Sequence, residues 1–106
     1  MIGAEKYSIV MTACGSEEKA QPIVNALLYE RLAACIQVLP VQSHYIWDGD
    51  VRHENEALLL IKCQTGDYNK IEETILRLHD YELPEIIRLP IAEGYDRYLS
   101  WITNPS

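Results

Sequence analysis

One segment constrains the fold more than any other: residues 50–63 end in Leu58–Ile61, a run that is apolar on both faces of a strand. Successive side chains of a strand point to opposite sides of the sheet, so this strand must lie centrally and be covered on both faces. Asp48-Gly49 directly before it is typical of a two-residue hairpin turn, which pairs it with the preceding segment. A chain of 106 residues has few elements left to cover a second sheet face. We therefore expect copies of the chain to associate through their sheets.

Hydrophobic periodicity and capping residues predict the remaining elements. Ser16 precedes a helical apolar stripe that runs to Leu32, and Asp67 precedes a second one. The predicted strands are Tyr7–Thr12, Cys35–Leu39 with a break at Pro40 and a resumption over Ser43–Trp47, Asp50–Cys63, and Glu85–Leu89. A last amphipathic segment covers Gly94–Ile102. The order β-α-β-β-α-β with a C-terminal helix predicts an α+β fold of the ferredoxin-like, split β-α-β kind, formed by residues 1–106 as a single domain.

Charge and composition argue against two classes of partner. The net charge is −7 and the nine cationic residues are scattered, which makes a poor surface for nucleic acid. No stretch approaches the roughly 20 apolar residues of a membrane span, and the first residues, MIGAEKYSIVM, lack the pattern of a signal peptide. Three cysteines leave one without an intramolecular partner, so free thiols are expected. These features predict a cytoplasmic protein with no nucleic-acid or membrane partner.

The hairpin carries two of the three histidines. With Asp48-Gly49 as its turn, stepping outward along the two strands places His44 opposite His53. Such a cross-strand pair can chelate copper or zinc, although two imidazoles near a hairpin tip are more often simply solvated. The string HENE does not gather its own histidine and glutamates around one ion, because alternate residues face opposite sides of the sheet. A stronger metal site needs groups from elsewhere in the chain.

Several phrases of the sequence resemble one known family. They are AQPIVNALLYERLAACI, YIWDG, ENEALLLIK, HDYELPEI, RLPI and YLSWI, in this order along the chain. Together they resemble the CutA family of divalent-cation tolerance proteins, and the resemblance runs from about Ile9 to Ile102. It implies a ferredoxin-like fold, a homotrimer whose long hairpins extend the sheets of neighbouring subunits, and binding of copper or other divalent cations such as zinc. It implies no enzymatic activity.

The resemblance also implies a set of metal ligands. The family's glutamate on the returning hairpin strand and its histidine before the PE motif correspond to Glu56 and His79. Its cysteine falls on Thr12, and the nearest thiol is Cys14, on the same strand face but displaced by roughly 7 Å. A thiolate, an imidazole and a carboxylate suit copper better than calcium or magnesium. The predicted metal site is therefore copper bound by Glu56, His79 and Cys14.

Other roles for these residues stay open. His79 ends a predicted helix, where the helix dipole favours a cation without any metal, and Glu56 can be a rim carboxylate at a subunit boundary. Cys14, between a strand and a helix, is a conceivable nucleophile of a thiol-dependent enzyme. Lys62, grouped with several aromatic residues, is a candidate for binding a small anionic ligand in a subunit cleft, as PII-like trimeric sensors do. The leading prediction is a non-catalytic homotrimer for metal tolerance, with the sensor and then the enzyme as alternatives.

Overall fold

A computed structural model describes residues 5–106 of the chain. Its elements are β1 (Tyr7–Cys14), α1 (Glu17–Tyr29), β2 (Cys35–Trp47), β3 (Asp50–Gln64), α2 (Tyr68–Leu78), β4 (Ile87–Pro90) and α3 (Asp96–Thr103), with a 3-10 turn at Thr65–Asp67 before α2. Within these residues the strands form one antiparallel sheet in the order β2-β3-β1-β4. The predicted α+β order with a C-terminal helix is confirmed. None of the helices in residues 5–106 is both long enough and apolar enough to cross a membrane.

The predicted break at Pro40 is wrong, because β2 runs through this residue without interruption. β2 lies at the edge of the sheet, where strands tolerate proline. The hairpin register shows why: Trp47 pairs with Asp50 across the turn, and hydrogen-bonded and non-hydrogen-bonded pairs alternate from there. Pro40, opposite Ala57, falls on a non-hydrogen-bonded pair, so the nitrogen that lacks a proton points away from β3. The two turn residues have positive φ values of 51° and 80°, as a two-residue hairpin turn requires.

Other strand boundaries also differ from the prediction, and β3 and β4 each end one residue later than predicted, at Gln64 and Pro90. β1 continues past Thr12 to Cys14, because β3 still offers a pairing partner there. β4 begins at Ile87 rather than Glu85, since its pairing with β1 starts at that residue. The start of α1 follows the prediction: the hydroxyl oxygen of Ser16 accepts the N–H of residue 19 at 3.1 Å. The extension of β1 matters for function, because it fixes Cys14 on the pleat of the strand.

Helices α1 and α2 cover one face of the sheet. Alternate residues of β1 and β3 on that face are fully buried, and apolar residues of both helices pack against them. The largest fully buried apolar side chains are Val10, Ile23, Leu27, Leu59, Ile61, Ile71 and Ile75. Beyond this core the hairpin of β2 and β3 continues with exposed side chains, as far as its turn. The fold therefore presents a long two-stranded arm outside the helical layer.

The opposite face of the sheet is only partly covered. Leu58 and Leu60 on this face are half-buried. Helix α3 contacts β3 and reaches one end of the face, where the Lys62 Nζ atom lies 5.4 Å from the ring centroid of Tyr98. Large apolar side chains of this face remain exposed: Leu39, Ile87 and Leu89. One chain thus leaves apolar surface on its second sheet face, and association through that face stays a prediction.

Candidate metal centre

Three potential metal ligands meet at the end of β1. Within residues 5–106, Cys14, His79 and Asp80 form a group whose donor atoms all lie within 4.8 Å of one another. Cys14 is the last residue of β1 and is fully buried. His79 directly follows α2, where an extended backbone (φ −70°, ψ 145°) ends the helix. The structure therefore brings together two of the three predicted ligands, with Cys14 Sγ 3.7 Å from His79 Nε2.

Both nitrogens of the buried His79 ring already have hydrogen-bond partners. Nδ1 accepts the backbone N–H of Tyr81 at 3.0 Å, so the ring proton lies on Nε2. Nε2 donates to the backbone carbonyl oxygen of Ala13 at 2.9 Å. A nitrogen needs a free lone pair to bind a metal ion, so ligation by His79 requires that these hydrogen bonds rearrange.

Cys14 is a protonated thiol at neutral pH. Burial raises its pKa to about 11, and the negative charges of Asp80 and Glu56 add to the rise. A nucleophilic cysteine needs a lowered pKa, which this environment does not provide. A positive ion beside the sulfur has the opposite effect, because metal ligation replaces the thiol proton.

Glu56, the third predicted ligand, is connected to the group through one residue, Tyr81, which makes a hydrogen bond to Glu56 and another to His79. Its Oε2 atom accepts the hydroxyl proton of Tyr81 at 2.5 Å. Burial and this hydrogen bond raise the pKa of Tyr81. Glu56 belongs to the sheet face opposite that of Cys14, since Cys14 pairs with the following residue, Ala57. Tyr81 thus links Glu56 to His79, and the role of Glu56 as a ligand stays a prediction.

Sequence reasoning missed the contributions of Asp80 and Tyr81. Asp80 Oδ1 lies 3.4 Å from His79 Nδ1, and Asp80 Oδ2 lies 3.8 Å from Lys19 Nζ. The available signal was their position: both directly follow His79 in the string HDYELPEI. Carboxylates beside a ligating histidine commonly hold its ring in place. The orientation of these two side chains cannot be read from the sequence.

Thr12, the position of the family's cysteine, lies two residues before Cys14 on the same buried face of β1. Within residues 5–106 its hydroxyl oxygen is buried without a hydrogen-bond partner. Because β1 stays regular up to Cys14, the thiol at that position points to the helical layer as Thr12 does. The displaced thiol contacts His79, which makes it compatible with the ligand role that the resemblance implies.

A cavity of about 870 Å³ opens beside these residues, between the hairpin and the loop after α2. Its walls include Glu56, Asp80 and Tyr81, together with Arg52 and Trp47 of the hairpin. Cys14 is fully buried and is not part of the wall. The wall also includes Glu82 and Glu85, so an ion that enters through this cavity meets carboxylates before it reaches the thiol.

The donor types in this group fit a transition-metal ion. Sulfur and imidazole nitrogen are preferred by copper and zinc, and the adjacent carboxylates supply negative charge. The 4.8 Å spread of the donor atoms is wider than the separation in a formed site, where ligand bonds are about 2.0–2.3 Å. The donor atoms are thus near one another but too far apart to surround one ion. Binding requires that they move closer together and that His79 gives up its present hydrogen bonds.

Comparison with known proteins agrees with this architecture. The family model described as CutA1 divalent ion tolerance protein matches residues 8–105. The divalent-cation tolerance protein CutA of Thermus thermophilus is 45% identical over 89% of this chain and 92% of its own length. The crystal structure of CutA1 from the psychrotrophic bacterium Shewanella sp. SIB1 has a TM-score of 0.91 and 37% identity, and the match covers 98% of this chain and 100% of that one.

A plant relative is longer than this chain. The chloroplastic protein CutA of Arabidopsis thaliana is 35% identical over 91% of this chain, which spans 53% of that relative. In all three comparisons the similarity runs through both the helical layer and the hairpin, because it covers about nine tenths of the chain or more. The chain therefore belongs to the family of CutA1 divalent ion tolerance proteins.

Proposed function

We propose that the chain is a non-catalytic protein that binds a divalent transition-metal ion, copper foremost, and serves metal tolerance. One observation carries this proposal: Cys14 Sγ lies 3.7 Å from His79 Nε2, with the carboxylates of Asp80 and Glu56 nearby. Thiolate and imidazole donors favour copper and zinc, whereas calcium and magnesium prefer oxygen ligands. The name of the Thermus relative, divalent-cation tolerance protein, is consistent with this role.

His79 is proposed to bind the ion through Nε2, the nitrogen nearer the thiol. Its ring proton then moves to Nδ1, where Asp80 Oδ1, at 3.4 Å, is placed to accept it. A histidine that donates its second N–H to a carboxylate is held in orientation and becomes a better ligand. Asp80 is thus the residue proposed to orient His79, and Glu56 is the proposed third ligand once the hydroxyl of Tyr81 releases it.

The absence of catalysis is part of the proposal. Cys14 is fully buried and its pKa is raised to about 11, so little thiolate is present at neutral pH. The neighbouring charges of Asp80 and Glu56 oppose ionisation of the thiol, which is contrary to the activation of a nucleophile. A buried thiol beside a histidine serves a metal ion better than it serves a substrate.

We further propose that the chain acts as a homotrimer in the cytoplasm. The exposed apolar side chains Leu39, Ile87 and Leu89 on one sheet face support association, because burial of such surface is favourable. The cysteines found in residues 5–106 are all free thiols, which suits a reducing compartment. Sedimentation equilibrium tests the assembly, and a monomer at micromolar concentration contradicts it.

Metal titration with matched thiol variants tests the buried site. In the His44→Gln/His53→Gln background, which removes the hairpin imidazoles, Cys14→Ser and His79→Gln should each lower copper affinity by about 10²-fold, because each removes one chelating donor. Cys63→Ser is the control: Cys63 is also buried, its pKa is also raised to about 11, and it lies towards the opposite end of β3. Equal copper affinity of all three variants and the background chain would contradict the proposed site.

A second candidate function is the binding of a small ligand with an anionic group, although the cavity wall holds the carboxylates of Glu56, Asp80, Glu82 and Glu85 beside one cationic side chain. Arg52 supplies a positive charge in its wall, and Tyr45 and Trp47 supply aromatic surface. Lys62, the candidate from the sequence, is not part of this wall and lies near Tyr98 instead. An anionic metabolite that raises the melting temperature in the presence of a chelator, and fails to do so with Arg52→Gln, would favour this function over metal tolerance.

A further inference from the structure

The hairpin arm carries a pair of histidines that the buried group does not use. His44 and His53 face each other across β2 and β3, as the turn predicted. Their rings are stacked, with centroids 4.4 Å apart and an interplanar angle of 6°. Counted from the turn, this is a non-hydrogen-bonded pair, the kind whose Cα atoms approach to roughly 4.5 Å. The backbone therefore holds two exposed imidazoles side by side.

We propose that His44 and His53 form a second, surface metal site for a divalent transition ion that prefers imidazole, such as copper, nickel or zinc. The site shares no residue with the buried group and lies on the hairpin arm, and His44 also lines the cavity beside that group. Imidazole is a good ligand for these ions and a poor one for magnesium or calcium. Two imidazoles fixed on adjacent strands bind one ion more tightly than either does alone, because the second contact is intramolecular.

The two rings are free to bind, unlike that of His79. Within residues 5–106, the hydrogen bonds found at histidine nitrogens all belong to His79. In parallel rings the lone pairs run side by side, whereas a tetrahedral ion with bonds of 2.0–2.1 Å needs two nitrogens about 3.3 Å apart. Small rotations of the two side chains bring the nitrogens together, and solvent exposure leaves room for them. Water molecules complete the coordination.

The surroundings of the pair favour a cation. The next pair towards the core on the same face is Gln42 and Asn55, whose amide oxygens are additional possible ligands. The charged neighbours of His53 along its strand, Arg52 and Glu54, point to the other face of the arm. No positive side chain therefore stands between the two imidazoles and solvent on the described part of this face.

Calorimetric titration of the full chain with Cu²⁺, Ni²⁺ and Zn²⁺ at about pH 8, where free imidazole is neutral, tests the proposal. The titrations use the variant Cys14→Ser/His79→Gln, so that the buried site does not contribute. We expect this variant to bind one ion. Adding His44→Gln or His53→Gln to it should lower the affinity for that ion by about 10²-fold. Glu54→Gln, which changes a neighbouring charge on the other face, is the matched control and should retain the ion. Circular dichroism verifies that each variant is folded.

Two results would overturn the proposal. One is equal affinity with and without the His44→Gln and His53→Gln substitutions, and the other is a Cu²⁺ electron paramagnetic resonance spectrum without coupling to two nitrogens. Failure of the buried site looks different: Cys14→Ser and His79→Gln then change nothing, while the hairpin substitutions remove all binding. The two proposals therefore fail separately.

Discussion

Metal affinity of the buried group should rise with pH, because the ion replaces the proton of Cys14. The thiol pKa is raised from 9.0 to about 11 by burial and by the charges of Asp80 and Glu56. At pH 7, four units lower, the thiolate makes up only about 10⁻⁴ of the thiol, and displacing the proton weakens binding by about 5 kcal/mol. Each pH unit of increase recovers about a factor of ten in affinity until the thiol ionises.

Competition with a chelator of known affinity measures this effect with Zn²⁺ between about pH 7.5 and 9.5, where about a hundredfold gain is expected. The measurement uses the His44→Gln/His53→Gln variant, which removes the hairpin pair. Corrections for the chelator's own protonation apply equally to every variant. Cys14→Ser should lose this gain, whereas Cys63→Ser should keep it, because Cys63 is buried away from His79. If Cys14→Ser shows the same slope as the background chain, the thiol is not a ligand and the reasoning is refuted.

Further outcomes follow from the same contacts. The contribution of the two buried thiols to the free energy of unfolding should be complete below pH 9 and should fall by up to about 3 kcal/mol per thiol as pH rises through about 11, because Cys14 and Cys63 keep their protons in the folded state when the unfolded chain has released them. Urea denaturation at several pH values measures this loss, and Cys63→Ser should roughly halve it. Asp80→Asn should lower metal affinity by about 10- to 100-fold if Asp80 orients His79, and an unchanged titration excludes that role. Leu89→Asp should convert the proposed trimer to monomers in sedimentation, and an intact trimer excludes this face as the interface.

The hairpin was predictable because its determinants are local. Asp48-Gly49 sets a two-residue turn, and the turn alone fixes which residues face each other as far out as His44 and His53. The predicted strand break at Pro40 was wrong because the effect of this proline depends on distant parts of the chain. Its tolerance depends on the strand lying at a sheet edge and on which pairs are hydrogen-bonded, and an edge position is a property of the whole sheet.

The buried group was less predictable from residue spacing. Cys14 and His79 are 65 residues apart, so their proximity depends on how the segment after α2 reaches the end of β1, and only the resemblance to a family selected them. Asp80 and Tyr81 adjoin His79 in sequence, yet their roles depend on side-chain directions after the helix ends. Sequence patterns set which elements form, whereas the contacts between side chains arise from how those elements pack.

Without an ion, the buried group satisfies its own hydrogen bonds, and this determines which ions it accepts. Ligation at His79 Nε2 gives up the bonds to Ala13 and Tyr81, each worth about 1 kcal/mol net. It also removes the Cys14 proton, which costs about 5 kcal/mol at pH 7. Magnesium and calcium bind sulfur and nitrogen too weakly to offset these costs, whereas copper, at the top of the divalent affinity order, does.

The hairpin pair has no such costs, because its rings hold no competing hydrogen bonds in the described part of the chain. It should therefore bind nickel and zinc at neutral pH more tightly than the buried group does. Titration of the Cys14→Ser/His79→Gln and His44→Gln/His53→Gln variants with nickel measures this difference directly. If the buried group binds nickel as well as the hairpin pair does, its internal hydrogen bonds and its thiol proton do not select the ion.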